Sequence, residues 1–384
     1  MELPEAITQF RAILTQKLCQ KQERAAFVEV VMILLVGILW GLFNPHQVAQ
    51  HLGISPKQLY ATLNSLSATS WRRLLETMML EQALAQLRAY AQSSAATKSR
   101  RQASLSIDDS VVRRFGKVLS YLWPWYSGQF KHVVRGQDVL GIVLRMGDQI
   151  IPLRLVFVSK QGRGPTTKPA LLMRELEHLK AYFAGEGIDL TALGVSLDSW
   201  WLGQDVSDDL ARIGFDKQVI AAKKSLILES RDGRDSLGER KKRAVLKHGW
   251  GQPRAAQRLR GENPTLGKVV AIMFDHPRSK TFAVLCPARL LRTCEGLRLW
   301  SNHHAVETFW KRLKQWLGLG QMQSRGRRGA WAELCLRVLA YFLALGMFGS
   351  DARTLAQVTY WLRRQSTFAE LINEHFQLDL CGCS

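Results

Sequence analysis

The hydrophobic period of this chain changes near residue 104, and that change constrains its fold more than any other feature. Up to about residue 95, apolar residues recur at helical spacing. Beyond it come short apolar runs bounded by turn residues. LSIDDS reads as a strand ending in two carboxylates, and KHVVRGQDVLGIVLRMGDQIIPLRLVFVSK as two strands about a Gly-Asp turn. QGRGPTTKP is a loop and ALLMRELEHLKAYFAGEG a helix closed by glycine. LTALGVSLDSWW is a buried strand ending in Asp198, and SDDLARIGFDKQVIAAKKS a helix leading to a further strand.

That order predicts an α/β fold, an RNase H-like mixed sheet flanked by helices, in which three antiparallel strands lead into parallel ones. The first strand and the strand ending in Asp198 become neighbours, so Asp108 and Asp198 meet at strand carboxyl ends, where open α/β sheets place their ligands. The chain then divides into an all-helical region 1–95, the first part of the α/β domain 96–227, an insertion 228–290, the second part of the domain 291–345, and a helical tail 346–384. SSAATKSRRQAS reads as a linker after the first region. The insertion is strongly basic, with Arg240, Lys241, Lys242 and Arg243 in one run, and GKVVAIMFDHPRSKTFAVLCPARL predicts a strand pair about a His-Pro-Arg-Ser turn. It is expected to be β-rich and to bring cations beside the carboxylates.

Lys+Arg 53 against Asp+Glu 32 gives a formal charge of +21, which favours a polyanionic partner. Charge alone does not separate DNA from RNA or anionic lipid. The longest apolar run, Val30 to Phe43, is shorter than the roughly 20 residues that span a bilayer and reads as a buried core helix, so no membrane partner is expected. MELPEAITQF shows no secretory pattern, and the six cysteines lack paired metal-ligand spacing, both of which suit a reducing cytoplasm. In NPHQVAQHLGISPKQLYATLNSLS, Val48, Ala49 and Leu52 share a face, Gly53 turns the chain, Ser55-Pro56 restarts a helix, and Leu59 and Leu63 continue the core. This is helix-turn-helix patterning over 45–66, with Lys57, Gln58, Tyr60 and Asn64 facing DNA; a plain helical hairpin has the same pattern.

Trp300 to Gly320 reads as one amphipathic helix with Glu307, Trp310, Lys311 and Lys314 on linked turns and Phe309, Leu313, Trp316 and Leu317 packing inward. An ordinary exposed Glu/Lys face has this pattern too; the two upstream Asp residues favour a site. Asp108, Asp198 and Glu307 together form the oxygen-donor set that a pair of Mg²⁺ ions requires, with Mn²⁺ as a substitute. There is no GxxxxGK[ST] loop and no GxSxG elbow, and HHAVE is not a zinc motif. AWAELCLRVLAYFLALGMFG beyond it is another buried helix.

At these residues the chain resembles the DDE transposases of bacterial insertion sequences, in particular the group named for a Tyr-Arg-Glu-Lys (YREK) signature. Asp108-Asp109-Ser110 matches the Asp-x-Ser of the first strand, and Asp198-Ser199-Trp200 the second Asp followed by Ser-Trp. Trp300, His303, Glu307 and Lys314 keep the spacing of the signature, with Trp in place of Tyr and His in place of Arg. Adjacent strand residues point to opposite sides, so one of Asp108 and Asp109 is the principal ligand; the Asp-x-Ser spacing favours Asp108. The resemblance covers about 104–345. It implies an enzyme that binds terminal inverted repeats, pairs two ends as a homodimer or higher oligomer on double-stranded DNA, cleaves them with two Mg²⁺ ions and joins them to a target in the cytoplasm. Asp108, Asp198 and Glu307 would be catalytic, and Lys314, Lys311, His303 and Trp300 would grip DNA near the cleaved phosphate.

Overall fold

The structure is a computed structural model that describes all residues except 1–2, 19–24, 94–101, 116–118, 162–165, 232, 250–253, 265, 276–281, 288–290, 323–324, 349–356, 359, 361, 365–366 and 377–384. Most of the expected linker, part of the Gly-rich loop and the His-Pro-Arg-Ser turn lie outside the described residues. The chain forms two compact units. One comprises Met1–Glu81, Val111–Asp138 and Phe309–Ser384, the other Gln82–Ser110 and Val139–Thr308.

The first unit is helical. Its helices are α1 (Leu3–Leu18), α2 (Ala25–Trp40), α3 (Pro45–Leu52), α4 (Pro56–Ser65) and the start of α5 (Ala68–Gln92). Every residue of α2 from Val30 to Leu39 is buried, because α1, α3, α4 and the C-terminal helices surround it; a helix apolar on all sides needs such a sheath. Asn44 and Ser55 cap α3 and α4 through their side chains, and Gly53 ends α3 with φ 65, a left-handed conformation that a side chain would strain. The hairpin expected over 45–66 is therefore present, and Leu59 and Leu63 are its buried α4 residues.

The second unit is built on a sheet. Its strands are β1 (Ser104–Arg113), β3 (His132–Met146), β4 (Gln149–Phe157), β5 (Gly194–Leu197), β6 (Gln218–Ala221), β7 (Ile227–Ser230), β8 (Gly233–Ser236), β9 (Ala256–Asn263), β10 (Gly267–Phe274) and β11 (Ala283–Cys286). The short strand β2 (Leu122–Ser127) pairs with the start of β3 inside the first unit. The helices of the second unit are α6 (Lys168–Gly185), α7 (Gln204–Arg212), α8 (Leu237–Arg243) and α9 (Thr293–Lys311). The chain then returns to the first unit through α10 (Gly326–Phe348) and α11 (Phe368–His375). α10 is long and apolar enough to cross a bilayer, but 89% of its apolar window is buried within the protein.

β4 pairs with β3, and the order continues β3-β1-β5-β6-β11-β10-β9-β7-β8. β1, β5 and β6 are parallel neighbours, as the strand-helix-strand order requires. This large mixed sheet with flanking helices is consistent with an RNase H-like domain. The basic segment is β-rich and lies on this same sheet, because β11 pairs antiparallel with β6 and carries β7–β10 onto it. One expectation is corrected. β1 does not stop at its carboxylates but runs on to Arg113; only its pairing with β5 ends there, at Ile107 opposite Leu197. Within the first unit, α1, α2 and α4 pack on α10.

Candidate active site

Asp108 and Asp198 each follow the last residue of a paired register, Ile107 opposite Leu197, so both stand just past the point where the pairing of these adjacent parallel strands ends. Neighbouring strands run about 4.8 Å apart. Each carboxylate is pinned by the next residue's backbone: Asp198 accepts from the Ser199 N–H at 2.6 Å and Asp108 from the Asp109 N–H at 2.8 Å.

Helix α9 brings the third carboxylate. Asn302 donates to Ser104 Oγ at 2.8 Å, and its carbonyl accepts from Ser106 Oγ at 2.9 Å, which bolts the helix to β1. A side chain at Gly194 would run into Leu299 of α9 at 2.7 Å, so glycine permits that approach over β5. Ser104, Ser106 and Asp108 share one side of β1 because strand residues alternate. Asp108 therefore faces the side on which α9 lies. Asp109 points to the other, where Lys168 at the start of α6 pairs with it at 2.6 Å. The geometry favours Asp108, as the Asp-x-Ser spacing did.

The three carboxylates share one electrostatic field. Burial first, then the negative charges of Asp109, Asp198 and Glu307, push the Asp108 carboxyl well above its usual range. Glu307 is half-exposed and pulled below its usual range, mainly by a hydrogen bond from His304 Nδ1 at 2.8 Å. Like charges gathered in this way are relieved by a cation, and the donors are hard oxygens, which fits Mg²⁺ or Mn²⁺. As the side chains stand, no group of three or more His, Cys, Asp or Glu converges closely enough to hold a metal ion among the described residues. Glu307 is held by His304.

Trp300 and His303 do not face solvent. They are 3% and 1% exposed and stack on each other at 4.6 Å, and Trp300 packs with Val270, Ile272 and Leu297. His303 lies against the Ser196 backbone, and burial holds its pKa below the ordinary imidazole value against the pull of Glu307 and Asp198. The stripe of Trp300, His303 and Glu307 crosses the sheet, so its first two members are covered and only the third emerges at the strand ends. Their expected DNA contacts are corrected on that ground. Trp310 is likewise buried, whereas Trp316 is 40% exposed beyond a π-helical stretch, Arg312–Trp316, that shifts the helical register. Lys311 is exposed, and Lys314 donates to the Val111 carbonyl at 2.9 Å.

In the basic run, Arg240 is 6% exposed and donates to the Leu228 and Gly233 carbonyls, so it fastens α8 rather than reaching DNA. Lys241 pairs with Asp275 and Arg243 with Asp235, while Lys242 is exposed. In α4, Lys57 is exposed and Gln58 partly buried.

Sequence reasoning missed Lys168. Its ammonium binds Asp109 and lies 4.8 Å from the ring of Trp200, so it ties the loop after β5 to β1. Arg154 of β4 holds α6 in place through Glu175 at 2.6 Å. Nothing in the spacing of Lys168 signals this, since 59 positions separate it from Asp109. Lys168→Ala should lower stability by about 1–3 kcal/mol, the range for a charge-assisted bond to a mostly buried carboxylate. Urea unfolding of the variant beside Lys168→Arg measures it, and equal midpoints for wild type and Lys168→Ala would refute the staple.

Residues 195–343 match the transposase DDE domain family. The matched span holds Asp198 and Glu307 and begins after β1, which carries Asp108. No curated protein matches the chain at a significant level. Over the span from β5 into α10 the chain is thus similar to transposase DDE domains.

Proposed function

We propose that this chain is a cut-and-paste DNA transposase of a bacterial insertion sequence in the YREK group. It binds the terminal inverted repeats of its element, pairs two ends as a homodimer or higher oligomer, cleaves them and joins them to target DNA in the cytoplasm, at the nucleoid. The observation that carries this reading is the placement of Asp108 and Asp198 just past the last paired register of β1 and β5, with Glu307 acting on the Asp108 carboxyl. The family match over 195–343 supports it.

Asp108, Asp198 and Glu307 would hold two Mg²⁺ ions, or Mn²⁺ in their place. Such ions, when bound, activate a water or a 3′-hydroxyl and stabilise the leaving oxygen of an in-line displacement at phosphorus. The chain's own part is positional. Backbone N–H groups orient both Asp carboxylates, Asn302 sets the height of α9 over β1, and His304 restrains Glu307. Lys168 keeps Asp109 on the opposite side of the sheet. The reading needs no covalent protein nucleophile, so one site serves both hydrolysis and strand joining. Exposed Lys311 and Lys242 supply phosphate contacts.

The test is mobilisation in cells of a marker placed between the gene's own flanking sequences. Excision by the wild type and none by Glu307→Gln supports the reading. Binding of those ends without cleavage in Mg²⁺ or Mn²⁺ replaces it with a DNA-binding regulator, and hydrolysis without joined product replaces it with a nuclease of similar fold.

A further inference from the structure

The hairpin of α3 and α4 is poor in charge for a DNA reader. Between Pro45 and Ser65 its basic side chains are His46, His51 and Lys57, so Lys57 is its one lysine or arginine. Duplex DNA carries one negative charge per roughly 1.7 Å of axis, and half to two-thirds of protein–DNA hydrogen bonds go to phosphate and sugar. A recognition helix with a single cation needs its phosphate anchors from elsewhere on the same face.

The first unit supplies them beside α4. Arg325, Arg327 and Arg328 stand at the start of α10, all exposed, with no acidic residue in the first turn of that helix. Arg328 donates from Nη1 to the carbonyl of Asn64, in the last turn of α4. A cation at a helix carboxyl end is favourable, and here it fixes the start of α10 against the carboxyl end of α4. Tyr60 and Asn64 of α4, with Arg325, Gly329 and Ala332, line a cleft of 240 Å³ between the two helices. Its rim carries a phenol, an amide and a guanidinium, all able to donate to phosphate or base-edge acceptors.

We propose that α4 and the arginines at the start of α10 form one docking face for duplex DNA. Lys57, Tyr60 and Asn64 address the major groove, Arg325 and Arg327 grip the flanking phosphates, and Arg328 is the positioning residue that joins the two helices. Charge complementarity selects the partner: two exposed guanidiniums beside a helix of groove-compatible width face a polyanion, and no carboxylate lies among them. This rests on the transposase reading, which supplies DNA as the substrate, and adds where on the chain the phosphate contacts are made.

The test is the salt dependence of binding by the purified full chain to fluorescent duplexes of its flanking DNA and of scrambled sequence. Arg325→Gln/Arg327→Gln is expected to weaken both duplexes by the same factor and to reduce the slope of log affinity against log salt by about 2, near 0.9 per lost contact. Asn64→Ala is expected to narrow the preference for flanking over scrambled sequence with the slope unchanged. Circular dichroism is expected to give the double variant a wild-type melting curve, since both side chains are exposed. A wild-type slope in the double variant would overturn the docking face while leaving the transposase reading standing. Absence of salt-dependent duplex binding by the wild type overturns both. A slope loss with duplex RNA and none with duplex DNA overturns the choice of partner.

Discussion

Asp198→Asn removes metal-dependent cleavage of the flanking DNA, by about a thousandfold or more, and leaves binding to that DNA within about twofold of wild type. The substitution keeps the volume of the side chain and an oxygen to accept the Ser199 N–H, so the turn after β5 survives. It deletes one negative charge from a site whose other members, Asp108 and Glu307, already repel one another. Asp109→Asn is the informative control. Asp109 faces Lys168 on the opposite side of β1, so its loss costs stability and leaves cleavage within about tenfold. Cleavage assays in Mg²⁺ on both variants decide the matter. Equal losses would mean that β1 does not sort its two carboxylates by side, and full activity in Asp198→Asn would move the active site elsewhere.

Glu333→Ala destabilises the first unit by about 3–5 kcal/mol, the range for breaking a buried ion pair. Glu333 is 1% exposed and pairs with Arg114, itself 7% exposed, and lies 4.0 Å from Arg337, which is fully buried. Its other oxygen accepts from the backbone N–H groups of Gly320 and Met322 at 2.9 and 3.2 Å. Removing the carboxylate takes the counter-charge from two buried guanidiniums, which keep only neutral acceptors (Gln137 and the Met322 carbonyl for Arg114, the Phe43 carbonyl for Arg337), and leaves two backbone donors without it. Burial already depresses the Arg337 pKa to about 10 against the support of Glu333. Urea unfolding measures the loss, with Arg327→Gln on the exposed start of the same helix as the reference, expected within about 0.5 kcal/mol of wild type. A Glu333→Ala midpoint equal to that reference would show that the network contributes nothing net.

Much of the second unit was legible because its strands differ in period from its helices. The β3–β4 hairpin falls where alternation and a Gly-Asp turn predict it, and β5 and β6 where short apolar runs end in polar residues. β7, β8 and β9 were not legible as individual strands. AQRLRGEN has almost no apolar side chains, and β9 forms because its backbone pairs along the length of β10, a relation between segments rather than a property of either. The face of α9 was misread for the same kind of reason. Periodicity places Trp300, His303 and Glu307 on one stripe, but it does not say how far along that stripe the sheet beneath continues.

The sequence alone determined the helical character of the N-terminal region, the β3–β4 hairpin and the order of β1, β5 and β6, and it singled out Asp108, Asp198 and Glu307 as candidates, since these follow from side-chain period and turn chemistry. Only the tertiary structure decided that Asp109 pairs with Lys168 while Asp108 lies in the field of Glu307, that Arg240, Trp300 and His303 are covered, and that Lys168 and Asn302 tie β1 to α6 and α9. Each of those depends on which surface packs against a distant segment. Burial and pairing energies act between residues scores or hundreds of positions apart, and no local pattern encodes them.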